Sequence, residues 1–164
     1  MIFEEFVAAR LSALLRYATV LTCDPHLAED VVQDVLLRLQ PRWDRIDAMA
    51  QPEAYVKRAI LNETLAWRRG RWAKVLLMRG ETLPEEPAPE PDRDDREILL
   101  RLIADLPPKQ RVVLVLRFYE GLSDAEIADL LDCGQAAVRS NSSRAVASLR
   151  AALARSDRPM EAST

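Results

Sequence analysis

The segment from Thr82 to Asp92, TLPEEPAPEPD, constrains this chain more than any other feature, because it holds four prolines and four acids with a single Leu. Proline fixes φ and removes backbone donors, and the acids repel one another. The segment therefore cannot bury a core and reads as an extended linker. A chain of 164 residues broken there leaves two pieces, each the size of a small domain. The predicted organisation is a first domain over residues 1–79, an acidic linker over 80–95, a second domain over 96–155 and a disordered tail over 156–164.

Both pieces read as helical. Ala, Leu, Arg and Glu dominate, only four Gly are present and no run of alternating Val, Ile and Thr occurs, so the predicted fold class is all-α. In the first piece Phe3, Phe6, Val7, Leu11, Leu14, Leu15, Ala18 and Leu21 recur at amphipathic-helix spacing. A second helix is predicted from about Pro25 to Leu39, with Leu27, Val31, Val35 and Leu39 as its apolar stripe. Its exposed N-terminal half carries Glu29, Asp30, Gln33 and Asp34, where acids also suit the helix dipole. Residues 40–50 read as a loop, and a third helix is predicted from about Pro52 to Lys74.

The second piece contains a helix followed by a helix-turn-helix. Pro107 and Pro108 can begin a helix but not continue one, and Val112, Val113, Val115, Leu116 and Tyr119 then recur with a helical period. Gly121 stops that helix. Ser123 and Glu126 form a capping box that opens the next, whose predicted buried side is Ile127, Ala128, Leu130 and Leu131. Asp132, Cys133 and Gly134 form the turn, with Cys133 expected between the helices and Gly134 as the following N-cap. The last helix begins near Gln135 and turns Val138, Ala145 and Leu149 inward. Arg139, Ser140, Asn141, Ser143 and Arg144 are expected on its polar side. Arginine can pair with a guanine edge or clamp a phosphate, while Ser and Asn let the backbone come close and still donate. In this motif the first helix braces on the DNA backbone and the second lies in the major groove. A plain helical hairpin with a solvated face would not need arginines framing short polar residues.

Net charge is −3, which does not suit a nucleic-acid binder until it is resolved along the chain. Residues 57–79 hold seven basic residues against one acid, Glu63, whereas 80–105 hold nine acids against three arginines. The basic segment interleaves Trp67 and Trp72 with arginines. That pattern suits partly opened DNA, where each stacked base is worth ~1–3 kcal/mol and the cations follow the phosphates. Packing of Trp67 in the core is an equal alternative from sequence. No stretch of 18 apolar residues or leader-like N-terminus appears, so a cytoplasmic protein without membrane insertion is expected. Cys23 and Cys133 stand 110 positions apart, which argues against a disulfide. Cys23 and His26 would supply two of the four ligands a structural zinc needs, so no metal is expected. One histidine, two distant cysteines and no phosphate-binding glycine loop leave no catalytic constellation, so neither a cofactor nor an enzyme is predicted.

With these residues in view the chain resembles, over almost its whole length, the extracytoplasmic-function sigma factors of bacterial RNA polymerase. AEDVVQDVLLRL, 28–39, and YVKRAILNETLAWRRGR, 55–71, are similar to parts of sigma region 2. LPPKQRVVLVLRFYEGLSDAEIADLL with VRSNSSRA resembles region 4. NETLAWRRGR is closest in character to the actinobacterial sigma-E-like branch. The resemblance implies core RNA polymerase, through its beta-prime clamp helices and beta flap, as a partner, together with promoter DNA and an anti-sigma factor or equivalent. It further implies Glu29, Asp30, Gln33 and Asp34 at the polymerase contact and Lys57, Arg58, Asn62, Trp67, Arg68 and Arg69 at the minus-10 element. Arg139, Ser140, Asn141, Ser143 and Arg144 would read the minus-35 element. Gln135-Ala136-Ala137, Asn141 and Ser143 depart from the usual family residues, so no relative's promoter sequence transfers. A stand-alone helix-turn-helix regulator is the rival; it would leave the acidic helix and the Trp and Arg cluster unexplained. An adaptor or anti-sigma decoy with an acidic linker is a second rival.

Overall fold

The computed structural model describes residues 1–77 and 95–156, with backbone alone for 71–77. No strand occurs among the described residues, which fall into two compact units, Met1–Arg93 and Asp94–Thr164. The expected linker and tail lie outside the described residues, except that Asp95 opens one helix and Ser156 closes another.

In the first unit α1 (Phe3–Thr22) ends where Cys23 turns left-handed, φ 54°, and its N–H donates to the Thr19 carbonyl at 2.7 Å. Asp24 then opens α2 (Pro25–Leu39), its carboxylate accepting from the N–H groups of His26 and Leu27 at 3.0 and 3.2 Å. A turn this short makes α1 and α2 an antiparallel hairpin. α4 (Pro52–Leu77) closes the core, with Val56, Ile60 and Leu61 meeting Leu14 and Leu21 of α1 and Val31, Val32 and Val35 of α2 in full burial.

Two expectations change here. Residues 40–50 are not a loop but a 3-10 turn (Gln40–Arg42) and a short helix, α3 (Trp43–Asp47). Periodicity cannot reveal five residues; burial of Trp43 holds them. Its ring packs on Phe3 and Phe6 at centroid distances of 5.6 and 4.5 Å, and its indole N–H donates to the Met1 carbonyl at 2.9 Å. Asp47, accepting from the Met1 amino group at 2.9 Å, raises that amine above its ordinary pKa. The second change concerns the helix faces. Leu27 of α2 is only half-buried and Leu11 of α1 is exposed, while Val32 and Leu36 take core places, because α2 packs on both α1 and α4 and buries a wider face than one stripe.

The second unit holds α5 (Asp95–Ala104), α6 (Pro108–Leu114), a π turn (Val115–Tyr119), α7 (Asp124–Leu131) and α8 (Gln135–Ser156). Arg111, 8% exposed, turns its guanidinium onto the end of α5 and donates to the carbonyls of Ile103, Ala104 and Leu106 at 3.1, 2.5 and 3.3 Å. It thereby caps orphan carbonyls that would otherwise be buried without partners. In the π turn Glu120 N–H reaches back to the Val115 carbonyl at 3.1 Å. The wider turn shifts the helical register at its end, so Tyr119, the last of the periodic apolar set, is 47% exposed. Gly121 comes next at φ 69°, a left-handed conformation that favours glycine.

The capping box forms as expected: Ser123 Oγ accepts from Glu126 N–H at 3.2 Å and Glu126 Oε1 from Ser123 N–H at 3.3 Å. Arg117 pairs with Asp124 at 2.5 Å and ties the π turn to the start of α7. Ile127, Val138 and Ala145 are fully buried where α7 and α8 pack, whereas Leu130, Leu131 and Leu149 are half-buried. Asp132 takes the left-handed position at φ 52°. Cys133 corrects an expectation: it is exposed, because the turn residue next to a left-handed cap points away from the helix crossing.

Candidate nucleic-acid interface

On α8 the buried residues Val138, Ser142 and Ala145 fix which side faces in. At about 100° per residue, Arg139, Ser140, Ser143 and Arg144 fall within an arc of roughly 140° on the other side. Arg139, Ser143 and Arg144 are exposed, and neither guanidinium has a hydrogen-bond or ion-pair partner among the described residues. Asn141 does not join them. It is half-buried outside that arc, and its amide donates back to the Ala137 carbonyl at 3.0 Å. Gln135, Ala136 and Ala137 are also exposed, in the first turn of α8.

The basic residues of α4 separate into two sets. Lys57 pairs with Glu53 at 3.6 Å and stands over the Tyr17 ring at 5.6 Å, and Arg68 donates to the Leu21 carbonyl at 2.9 Å. Both serve the packing of the first unit. Arg58, Asn62 and Arg69 are exposed and lie within about 40° of one another on the helical wheel, over a length of about 16 Å. The aromatic on that stripe is Tyr55, 38% exposed and roughly 20° from Asn62. Trp67 is 45% exposed, so it is not a core residue, yet it stands roughly 140° from Asn62 and is not brought beside it. Tyr55 was legible in principle from its spacing of three and seven residues to Arg58 and Asn62. The Trp72 side chain lies outside the described residues.

A third surface, on α2, carries Glu29, Asp30, Gln33 and Asp34, all exposed. Among the described residues no group of three or more His, Cys, Asp or Glu is arranged to hold a metal ion. No described helix is long and apolar enough to cross a membrane.

The sequence pattern of Sigma-70 region 2 matches residues 6–74, and that of Sigma-70 region 4 matches residues 96–149. The chain is 38% identical over 157 residues to the RNA polymerase sigma-E factor of Streptomyces coelicolor, covering 94% of this chain and 88% of that protein. It is 33% identical over 157 residues to the ECF RNA polymerase sigma factor SigL of Mycobacterium tuberculosis, covering 93% and 86%. The chain belongs to the extracytoplasmic-function sigma factors. Among solved structures this sigma factor is similar to RpoE of Bartonella quintana, crystallised in complex with the anti-sigma factor NepR. The TM-score is 0.73 at 26% identity over 95% of this chain and 98% of that one. The helix-turn-helix of the second unit is thus the sigma factor's region 4, and the α1 to α4 unit its region 2. Sigma factors are regulatory DNA-binding proteins, and both matched patterns are sigma regions, which gives the stand-alone regulator no support.

Proposed function

We propose that this sigma factor divides its work among three surfaces. The acidic face of α2, Glu29, Asp30, Gln33 and Asp34, holds core RNA polymerase through its beta-prime clamp helices, while the second unit meets the beta flap. The α4 stripe of Tyr55, Arg58, Asn62 and Arg69 engages the minus-10 element, and Arg139, Ser140, Ser143 and Arg144 of α8 read the minus-35 element. The observation that carries this reading is the segregation within one small unit of an uncompensated acidic face on α2 from an exposed Arg, Asn and Tyr stripe on α4. Neither surface is needed for packing, and their charges suit different partners.

Region 4 anchors on duplex DNA, and region 2 then holds unpaired bases of the non-template strand. Stacking worth ~1–3 kcal/mol per base offsets an unpairing cost of a few kcal/mol. Lys57 and Arg68 act through the fold, Trp67 lends a second aromatic from another side of α4, and Asn141 supports α8 rather than reading bases. The protein is a regulator rather than a catalyst, works in the cytoplasm and is held in check by an anti-sigma factor. With few cations on each reading face, either unit alone binds DNA weakly and in a salt-sensitive way until polymerase holds both in register.

Run-off transcription with the purified protein and core polymerase tests the reading. Promoter-dependent transcripts are expected. Failure to bind core would sink it, and binding without transcripts would point to a decoy.

A further inference from the structure

The first turn of α8 carries a group for which the fold has no use. Gln135 is exposed, and among the described residues its amide has no hydrogen-bond partner. Its backbone is fixed all the same. Val138, fully buried, donates its N–H to the Gly134 carbonyl at 3.2 Å and closes the turn that holds Gln135. Gly134 leaves the approach to that turn bare, since a Cβ built on it would meet nothing within 4 Å. A planar amide with both its donor and its acceptor free, carried on a fixed turn, is what the reading of one base requires.

The place of Gln135 among the exposed residues of α8 says what it meets. At about 100° per residue it stands roughly 40° from Arg139 and about 6 Å nearer the start of the helix, the end that meets base edges. Ala136 falls within the arc bounded by Arg139 and Arg144. The two arginines lie at the edges of that arc, where guanidinium groups reach the phosphates on either side of a major groove about 12 Å wide. Ser140 and Ser143 lie between them, and a hydroxyl that both donates and accepts separates bases poorly. Gln135 differs: its amide donates to N7 of adenine while accepting from the N6 amino group, and no other single base offers that pair of groups in the groove. We infer that Gln135 is a specificity-determining residue of the minus-35 contact, reading one adenine, with the Ala136 methyl against a neighbouring thymine methyl. The inference rests on the α8 contact proposed above and adds to it the residue and the base by which sequences are told apart.

The test is selection of randomised duplex DNA by the full-length protein assembled with core polymerase, followed by titration of the selected sites. The parent should prefer adenine at one minus-35 position by about tenfold, the size of one two-bond pair. Gln135→Ala should lose that preference alone, with the other positions, the salt dependence and the thermal midpoint unchanged. Gln135→Arg should move it to guanine. Replacing that adenine by 7-deazaadenine, which lacks the N7 acceptor, should weaken binding of the parent several-fold and leave Gln135→Ala unaffected. If Gln135→Ala keeps the parent's base preferences, the inference fails. It fails equally if this variant binds every sequence more weakly by one factor, which would assign Gln135 to a phosphate. Should Arg139→Ala and Arg144→Ala still weaken minus-35 binding in those cases, the α8 contact stands without Gln135. If both arginine variants bind like the parent, or the parent selects no minus-35 sequence, the contact falls as well.

Discussion

The two helices proposed to face DNA, α4 and α8, use their arginines differently. In α8 both Arg139 and Arg144 stand clear of the fold, because the residues that pack, Val138, Ser142 and Ala145, are small or aliphatic and Asn141 occupies the margin. In α4 the cations are shared between fold and surface. Lys57 and Arg68 bind groups of the first unit itself, while Arg58 and Arg69 remain outward. The difference comes from where each helix sits in its unit. α4 packs on α1, α2 and α3 and so meets polar backbone ends that need donors, whereas the first turns of α8 lean chiefly on α6 and α7. Charge counted along a sequence therefore overstates the binding charge of a helix in proportion to how much of it is surrounded.

The strongest way to press this comparison is to remove an arginine that belongs wholly to the fold. Arg111→Ala should destabilise the second unit by about 3 kcal/mol, since three carbonyls lose a charged, buried donor. Thermal or urea denaturation reads the loss directly, and an unchanged midpoint would mean that water replaces the guanidinium without cost. Next in size is the free arginine of α8. Arg144→Ala should weaken minus-35 binding by about 1–3 kcal/mol and lower the salt slope by about one, with core binding and thermal midpoint unchanged. Loss of core affinity instead would show that this surface has been assigned to the wrong partner.

On α4 the comparison turns on two aromatics. Tyr55→Ala should lower the stability of the open promoter complex by roughly 1 kcal/mol, the low end for one stacked base, and Trp67→Ala by less. Reversed effects in a complex-lifetime assay would move the reading stripe to the Trp67 side of the helix. The smallest effect belongs to Asn141. Asn141→Ala should change duplex affinity by less than about 0.5 kcal/mol, because its amide is already committed to the Ala137 carbonyl. A larger loss in a promoter titration would mean that the side chain swings outward on binding.

Much of the architecture is legible in the chain itself. The division into two units, the capping box at Ser123 and Glu126, and the turn at Asp132 rest on local signals, each carried by a few adjacent residues. The acidic residues of α2 and most of the α8 face are equally legible, since exposure follows from helical period once the apolar side is identified. Reading fails where neighbours far along the chain decide. α3 escapes it because Phe3, Phe6 and the Met1 carbonyl, rather than its own five residues, hold Trp43. Cys133 is wrongly placed inside when the turn is read without its left-handed cap, and the apolar period that includes Tyr119 does not show that a π turn interrupts it.

By itself the sequence determined that this is an all-helical protein of two units with a helix-turn-helix in the second, because helix propensity, caps and proline breaks act over a turn or two of chain. Only the tertiary structure decided which cations are free and which aromatic stands beside Asn62. Those outcomes depend on which faces of several helices meet. A helical period gives the direction of a side chain around its own axis but not what stands opposite it.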